Sequence, residues 1–188
     1  MKKILVLMKL KQKIFDYIAG KQEERNVRFP HFDQPLKILL IYESDVLERN
    51  DSIKSIRQEL LRRQMDVSMW GFVEKKEILT LILPQSRILG LNDYNLLGKP
   101  RDYVVSDLKA EHYDLLIDLT TRPCLALRYI AMLADADFKV GLNLGEGVHD
   151  MLISLPDFEP EQGEAAEIEA SWLFNQMMQF ITTIKSND

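Results

Sequence analysis

Asp118, Thr120, Thr121 and Arg122 stand within five residues, at the end of the apolar run Tyr113 to Leu119 and directly before Pro123. Two hydroxyls and a guanidinium at the start of a helix can hold a phosphate or carboxylate. The first helical turn leaves N–H groups free and carries a partial positive charge. Proline suits the first helical position, so the expected N-cap is Arg122 or Thr121. A plainer alternative stands beside this one: the threonines and Asp118 satisfy the local backbone, and Arg122 pairs with a nearby carboxylate.

Glu43, Ser44 and Asp45 follow a second apolar run, Leu36 to Tyr42. They could meet Asp118 at the mouth of a crevice, where paired carboxylates hold Mg²⁺ or act as acid and base. Acidic residues after strands are also ordinary loop chemistry. Cys124 would sit in a first helical turn, where the dipole can depress a thiol pKa, but Pro123, Leu125 and Ala126 around it suggest burial. His31, His112 and His149 are scattered, so no Cys/His pairing shows in the sequence, and no GxSxG elbow supports a serine triad. The exit of the first strand lacks glycine and therefore the GxGxxG phosphate cradle, which counts against NAD or FAD. No cofactor and no metal are expected.

The elements that position these residues follow from hydropathy patterning. Leu36 to Tyr42 has the length and near-continuous apolarity of a strand buried on both faces. Asn50-Asp51-Ser52 offers caps for a helix running to about Gln64 on Ile53, Ile56, Leu60 and Leu61. Val67 to Val73 is a second strand, in which Gly71 marks a bulge or a close approach. Ile78 to Leu83 and Ile88 to Leu91 read as short strands around an irregular insertion, 84–106, whose Asn92 to Arg101 is dense in turn formers. Ser106 could cap a short helix through Ala110. Tyr113 to Leu142 then reads as strand, turn, apolar helix and strand, one βαβ unit. Such units imply parallel pairing with right-handed crossovers. Met151 to Leu155 suits a last strand and Glu164 to Ile184 a last helix.

Ahead of this core, residues 3 to about 19 place Ile4, Leu7, Met8, Ile14, Phe15 and Ile18 near one helical face and end at Gly20. A strand at Ile4 to Met8 is the competing assignment, and helix is preferred because Leu36 to Tyr42 makes the better first strand. The helix can pack on the domain, on a second copy, or lie on an anionic membrane surface. The apolar helix 123–134 carries only Arg128 as a charge, more apolar surface than one buried face needs. It is either covered on several sides or part of a subunit interface.

The 188 residues, 46% hydrophobic and 28% charged, match an ordinary globular chain. We expect an N-terminal helix and connector over 1–33 and a single α/β domain over 34–188. The net charge of -5 is uneven: residues 1–75 hold 15 Lys and Arg against 11 Asp and Glu, and the rest 9 against 18. No concentrated basic face with aromatics points to nucleic acid. One cysteine excludes an internal disulfide and suggests a reducing cytoplasm. The apolar run after Lys3 stops at Lys9, too short for a secretory signal or a membrane span.

YDLLIDLTTRPCLALRYIAMLADADFKVGLN, with LNDYNLLGKP before it and HDMLISL after it, resembles an uncharacterised family of bacterial, mainly Bacteroidota, proteins of unknown function. The resemblance runs through most of the chain and implies no activity. Tyr113, Asp114, Ile117, Asp118, Val140 and Gly141 also resemble, more distantly, the first half-domain of heptosyltransferase-like glycosyltransferases. Those enzymes bind their nucleotide-sugar donor in a second α/β domain, which 188 residues are not expected to accommodate, so the resemblance implies no transferase activity by these residues alone. The expectation is therefore a Rossmann-like three-layer sandwich, with a mostly parallel sheet flanked by helices and an N-terminal amphipathic helix. Its expected role is binding or self-association without demonstrable catalysis. The alternative is a sugar- or nucleotide-phosphate binder or enzyme using the turn Asp118 to Arg122. A homodimer or protein partner would use the N-terminal helix or helix 123–134.

Overall fold

A computed structural model describes residues 2–22, 25–44, 47–74, 86–144, 148–154 and 169–184. The two apolar runs that frame the candidate residues become neighbouring strands, β1 (Lys37–Glu43) and β4 (His112–Asp118). On one side of them lie β2 (Asp66–Phe72) and β3 (Ser86–Leu89), and on the other β5 (Asp135–Leu142) and β6 (Met151–Ile153). The sheet order is β3-β2-β1-β4-β5-β6, and every pairing is parallel, so the sheet is more uniform than the expected mostly parallel one. Strands buried on both faces need side chains of one kind throughout, which is why LKILLIY carries no alternation.

Two helix layers cover the sheet. Ile38, Leu40, Ile117 and Val140 face α2 (Leu47–Arg62) and α5 (Ala170–Thr183). Leu39, Ile41 and Leu116 face α3 (Asp102–Lys109) and α4 (Leu125–Leu133). The N-terminal helix α1 (Lys2–Ala19) lies outside α4, so the helical assignment of residues 4–8 holds. Its Phe15 meets Tyr129 edge to face with ring centroids 4.9 Å apart, and the Arg128 guanidinium lies 4.1 Å over the Phe15 ring. The apolar surplus of α4 is thus covered by the sheet on one side and by α1 on the other. Leu127 to Met132 are all buried within this chain.

Several boundaries differ from expectation. α2 begins at Leu47, before the Asn50-Asp51-Ser52 caps, and α3 begins at Asp102 rather than at Ser106. In α3 the buried residues are Val104 and Leu108, one turn apart, so the packing that fixes this helix starts ahead of the serine. The expected strand Ile78 to Leu83 and the first part of the expected last helix lie outside the described residues. Gly71 marks a close approach: a Cβ there would come within 2.7 Å of Ile88 Cδ1 and 2.9 Å of the Tyr42 ring. Gly71→Ala should therefore lower unfolding stability by about 1–3 kcal/mol, as overpacked cores do. Urea titration checks this, and an unchanged midpoint would mean that Tyr42 and Ile88 yield freely.

Candidate functional site

The chain leaves β1 towards the α2 face and leaves β4 towards the α4 face. Between the carboxyl ends of two strands whose connections part in this way a parallel sheet opens a crevice. A cleft of about 560 Å³ lies there. Its floor is Glu43 at the end of β1 and Phe72 at the end of β2. One wall is the segment from Arg122 to Cys124 with Leu125 and Ala126 at the start of α4, and Arg128 beyond. The other walls are Leu91, Tyr94, Asn95 and Gly98 of the insertion and Leu7, Met8, Lys11 and Gln12 of α1.

The insertion is ordered by its own turn chemistry. Asn95 Oδ1 accepts from the backbone N–H groups of Leu97 and Lys99, at 2.9 and 3.1 Å, and Tyr94 pairs with Pro100 in an antiparallel bridge. Gly98 takes φ +83 and lies against Leu125, where a Cβ would come within 3.1 Å of that side chain. Tyr94 donates its hydroxyl to Ala126 O at 3.3 Å and stacks edge to face on Phe72 at 5.5 Å. Burial pushes the Tyr94 hydroxyl pKa far up, so it remains a donor. These contacts fix the Tyr94 ring against Phe72 and the start of α4, on the wall of the cleft.

Cationic side chains stand among the same walls. Arg122, half-exposed, donates from Nε to Oε1 of the buried Glu43 at 3.0 Å. Arg128 donates from Nη1 to Gln12 Oε1 at 2.9 Å, tying α1 to α4, and burial lowers its pKa to about 10. At neutral pH it still carries its charge. Lys11 stands on the α1 wall.

The turn Asp118 to Arg122 is built from the inside. Asp118 Oδ1 accepts from the backbone N–H of Thr120 at 2.9 Å and also from the Thr120 hydroxyl, an Asx-type turn. Thr120 and Thr121 are buried, and of the four residues only Arg122 reaches the cleft. Pro123 does not open the helix. α4 starts at Leu125 and its N-cap is Cys124 in an extended conformation, so the chain bends at Arg122 and runs on through Pro123 before it coils. Neither Arg122 nor Thr121 is therefore the N-cap. Ser44 continues β1, its N–H donating to Phe72 O at 2.7 Å, and Asp45 lies outside the described residues. Cys124 lines the cleft, but burial pushes its thiol up to about 12, and the negative Glu43 and Asp118 act in the same direction against N–H groups of Leu127 and Ala126. It stays protonated at neutral pH and is a poor nucleophile.

A residue that the spacing did not single out completes the far side of the turn. His149 donates from Nε2 to Asp118 Oδ2 at 3.0 Å, and the two side chains are only 7% and 6% exposed. Gly141 makes the contact possible, since a Cβ there would overlap the imidazole at 2.7 Å. The neighbouring Asp150 anchors the loop: its N–H donates to Lys139 O at 2.8 Å and its carboxylate accepts from Lys139 N and from Arg25. His149 Nδ1 is buried with no hydrogen-bond partner among the described residues. The sequence signal that could have flagged it is Gly141 at a strand end, eight residues before a histidine. The dyad lies behind the turn rather than on the cleft wall. Among the described residues no cluster of three His, Cys, Asp or Glu side chains could hold a metal ion, and no helix is long and apolar enough to cross a membrane.

A family model, that of a family of unknown function (DUF6913), matches residues 8–163. No curated protein and no solved structure matches the chain.

Proposed function

Since the chain belongs to this family of unknown function, whose description carries no activity, we propose from the geometry of the cleft that it is a binding domain without demonstrable catalysis, and from its single cysteine that it is cytoplasmic. Its ligand is a small molecule with an apolar body and one anionic group, held in the cleft between α1, the sheet tip and α4. The observation that carries this reading is the cleft's mixed lining. Phe72, Tyr94 and Leu91 give it apolar surface, and Arg122, Lys11 and Arg128 bring three cations against the two carboxylates Glu43 and Glu74. A mostly apolar pocket at a sheet's switch point with a few convergent polar groups is the usual form of a small-molecule site. The reading keeps Arg122 as the anion-binding residue. It leaves to the buried threonines and Asp118 the task of holding the turn that presents it.

The test is a thermal-shift and calorimetric panel of phenyl phosphate, a sugar phosphate, a nucleoside monophosphate and a medium-chain carboxylate, each beside an uncharged analogue. At least one anionic member should bind. Arg122→Gln should weaken it about 10- to 100-fold, the loss expected for one charge-assisted hydrogen bond, and Ala126→Phe should abolish binding by filling the cleft. Because Arg122→Gln leaves Glu43 buried without its guanidinium, the double variant Glu43→Gln/Arg122→Gln separates lost binding from lost stability. No binding by any member, or binding that Ala126→Phe leaves intact, would overturn the reading.

A further inference from the structure

α1 has two apolar faces, and only one is used by the fold. Phe15 points inward onto Tyr129. At about 100° per residue, Val6, Leu10, Lys13 and Tyr17 lie within roughly 40° of the opposite direction. Val6, Leu10 and Tyr17 are 66%, 46% and 64% exposed. A helix that needed only to pack on α4 would carry polar residues there.

We propose that this outward face is a docking surface for an anionic lipid bilayer, on which α1 lies flat. The charge pattern singles out that occupant. Residues 1–15 hold five lysines and no carboxylate, whereas the whole chain has a net charge of -5. Lys13 is exposed within the outward face, between Leu10 and Tyr17, and Lys9 is exposed at its flank. Apolar residues that enter the acyl boundary, with lysines that reach the headgroups, are the features of an interfacial helix. Tyr17 stands at the carboxyl end of the stripe with the Lys21 ammonium 4.4 Å over its ring, an aromatic and a cation at the level where headgroups begin. A second copy fits less well. Two such helices paired about a two-fold axis would bring lysines against lysines. The acidic remainder of the chain is repelled by the same bilayer, so contact is confined to α1 and the carboxyl end of the sheet stays accessible.

The experiment is co-flotation of the full chain with vesicles of phosphatidylcholine, with and without phosphatidylglycerol. The chain should float with the anionic vesicles only, and leave them at about 0.5 M salt, where the screening length falls to roughly 4 Å. Lys9→Gln/Lys13→Gln should weaken partitioning about 30-fold, and Val6→Ser/Leu10→Ser by about 10-fold or more. All four side chains are exposed, so circular dichroism and the melting temperature should be unchanged in both variants. No flotation, equal flotation with neutral vesicles, or indifference to both variants would overturn the proposal. So would a dimer in sedimentation velocity that Val6→Ser/Leu10→Ser dissociates, since that would assign the face to a second copy.

Discussion

Replacing Lys139 by methionine is expected to make the protein more stable at pH 6 and to flatten the stability rise that the parent shows between pH 7 and about 10.5. Lys139 is 1% exposed in the middle of β5. Its ammonium donates to Ala131 O at 2.6 Å and to Met132 O at 3.3 Å, carbonyls in the last turn of α4. Burial lowers its pKa from 10.5 to about 7; Arg25 acts in the same direction, and Asp150 and Asp135 oppose it. Between those two values the unfolded chain holds a proton that the folded chain has lost, so stability increases with pH across that window. Below pH 7 both states are protonated and the penalty is complete, about 5 kcal/mol at roughly 1.4 kcal/mol per pH unit. Methionine keeps the length of the side chain and has no charge to bury. It forfeits the two bonds to the helix carbonyls, worth about 1–3 kcal/mol each as charge-assisted contacts near a helix end. The net gain at pH 6 is then a few kcal/mol at most, and it should shrink and reverse sign towards pH 10. Urea unfolding of both proteins at pH 6, 8 and 10 decides the matter. A difference that does not change with pH would show that Lys139 is charged in the folded protein throughout.

The same lysine shows why some of this molecule was legible in its sequence and some was not. β1 and β4 were plain because a strand buried on both faces must be apolar at every position, as LKILLIY and YDLLID nearly are. α1 was readable as a helix because its inward residues recur at helical spacing and stop at Gly20, although Ile4 to Met8 alone also suited a strand. Helix starts were less plain. Proline before α4 and serine within α3 are permissive signals, and the packing of Leu127 and Val104 set the actual ends. At the site, Glu43 and Arg122 were visible as charged residues at strand exits, but their ion pair is a tertiary contact across 79 positions. The contribution of α1 to the cleft was out of reach for the same reason. An amphipathic pattern reports that a face is buried, and says nothing of which crevice the edge of that face will line.

Gly141→Ala should cost about 2–4 kcal/mol, and almost none of that in a chain that already carries His149→Ala. The methyl group would occupy the place of the imidazole, at 2.7 Å from Nε2, in a sheet position paired with Leu152 of β6 and one residue past Val140, which pairs with Ile117 of β4. The imidazole has little room to give way, because Asp150 next to it is bound to Lys139 on both its N–H and its carboxylate, with Arg25 closing the same anchor. Moving it takes Nε2 from Asp118 and leaves a carboxylate that is 6% exposed and bonded to Thr120 on the turn. Stripping one partner from a buried charged group costs about 1–3 kcal/mol, and overpacking adds to that. His149→Ala loses the hydrogen bond directly but opens the space into which the Gly141 methyl would fit. The two substitutions therefore share one mechanism and should be strongly non-additive in a double-mutant cycle. Additive effects in urea unfolding would separate Gly141 from the dyad. The expected coupling would instead tie the end of β5 to the turn that carries Arg122 into the cleft, and Gly141→Ala should then also weaken any anion bound there.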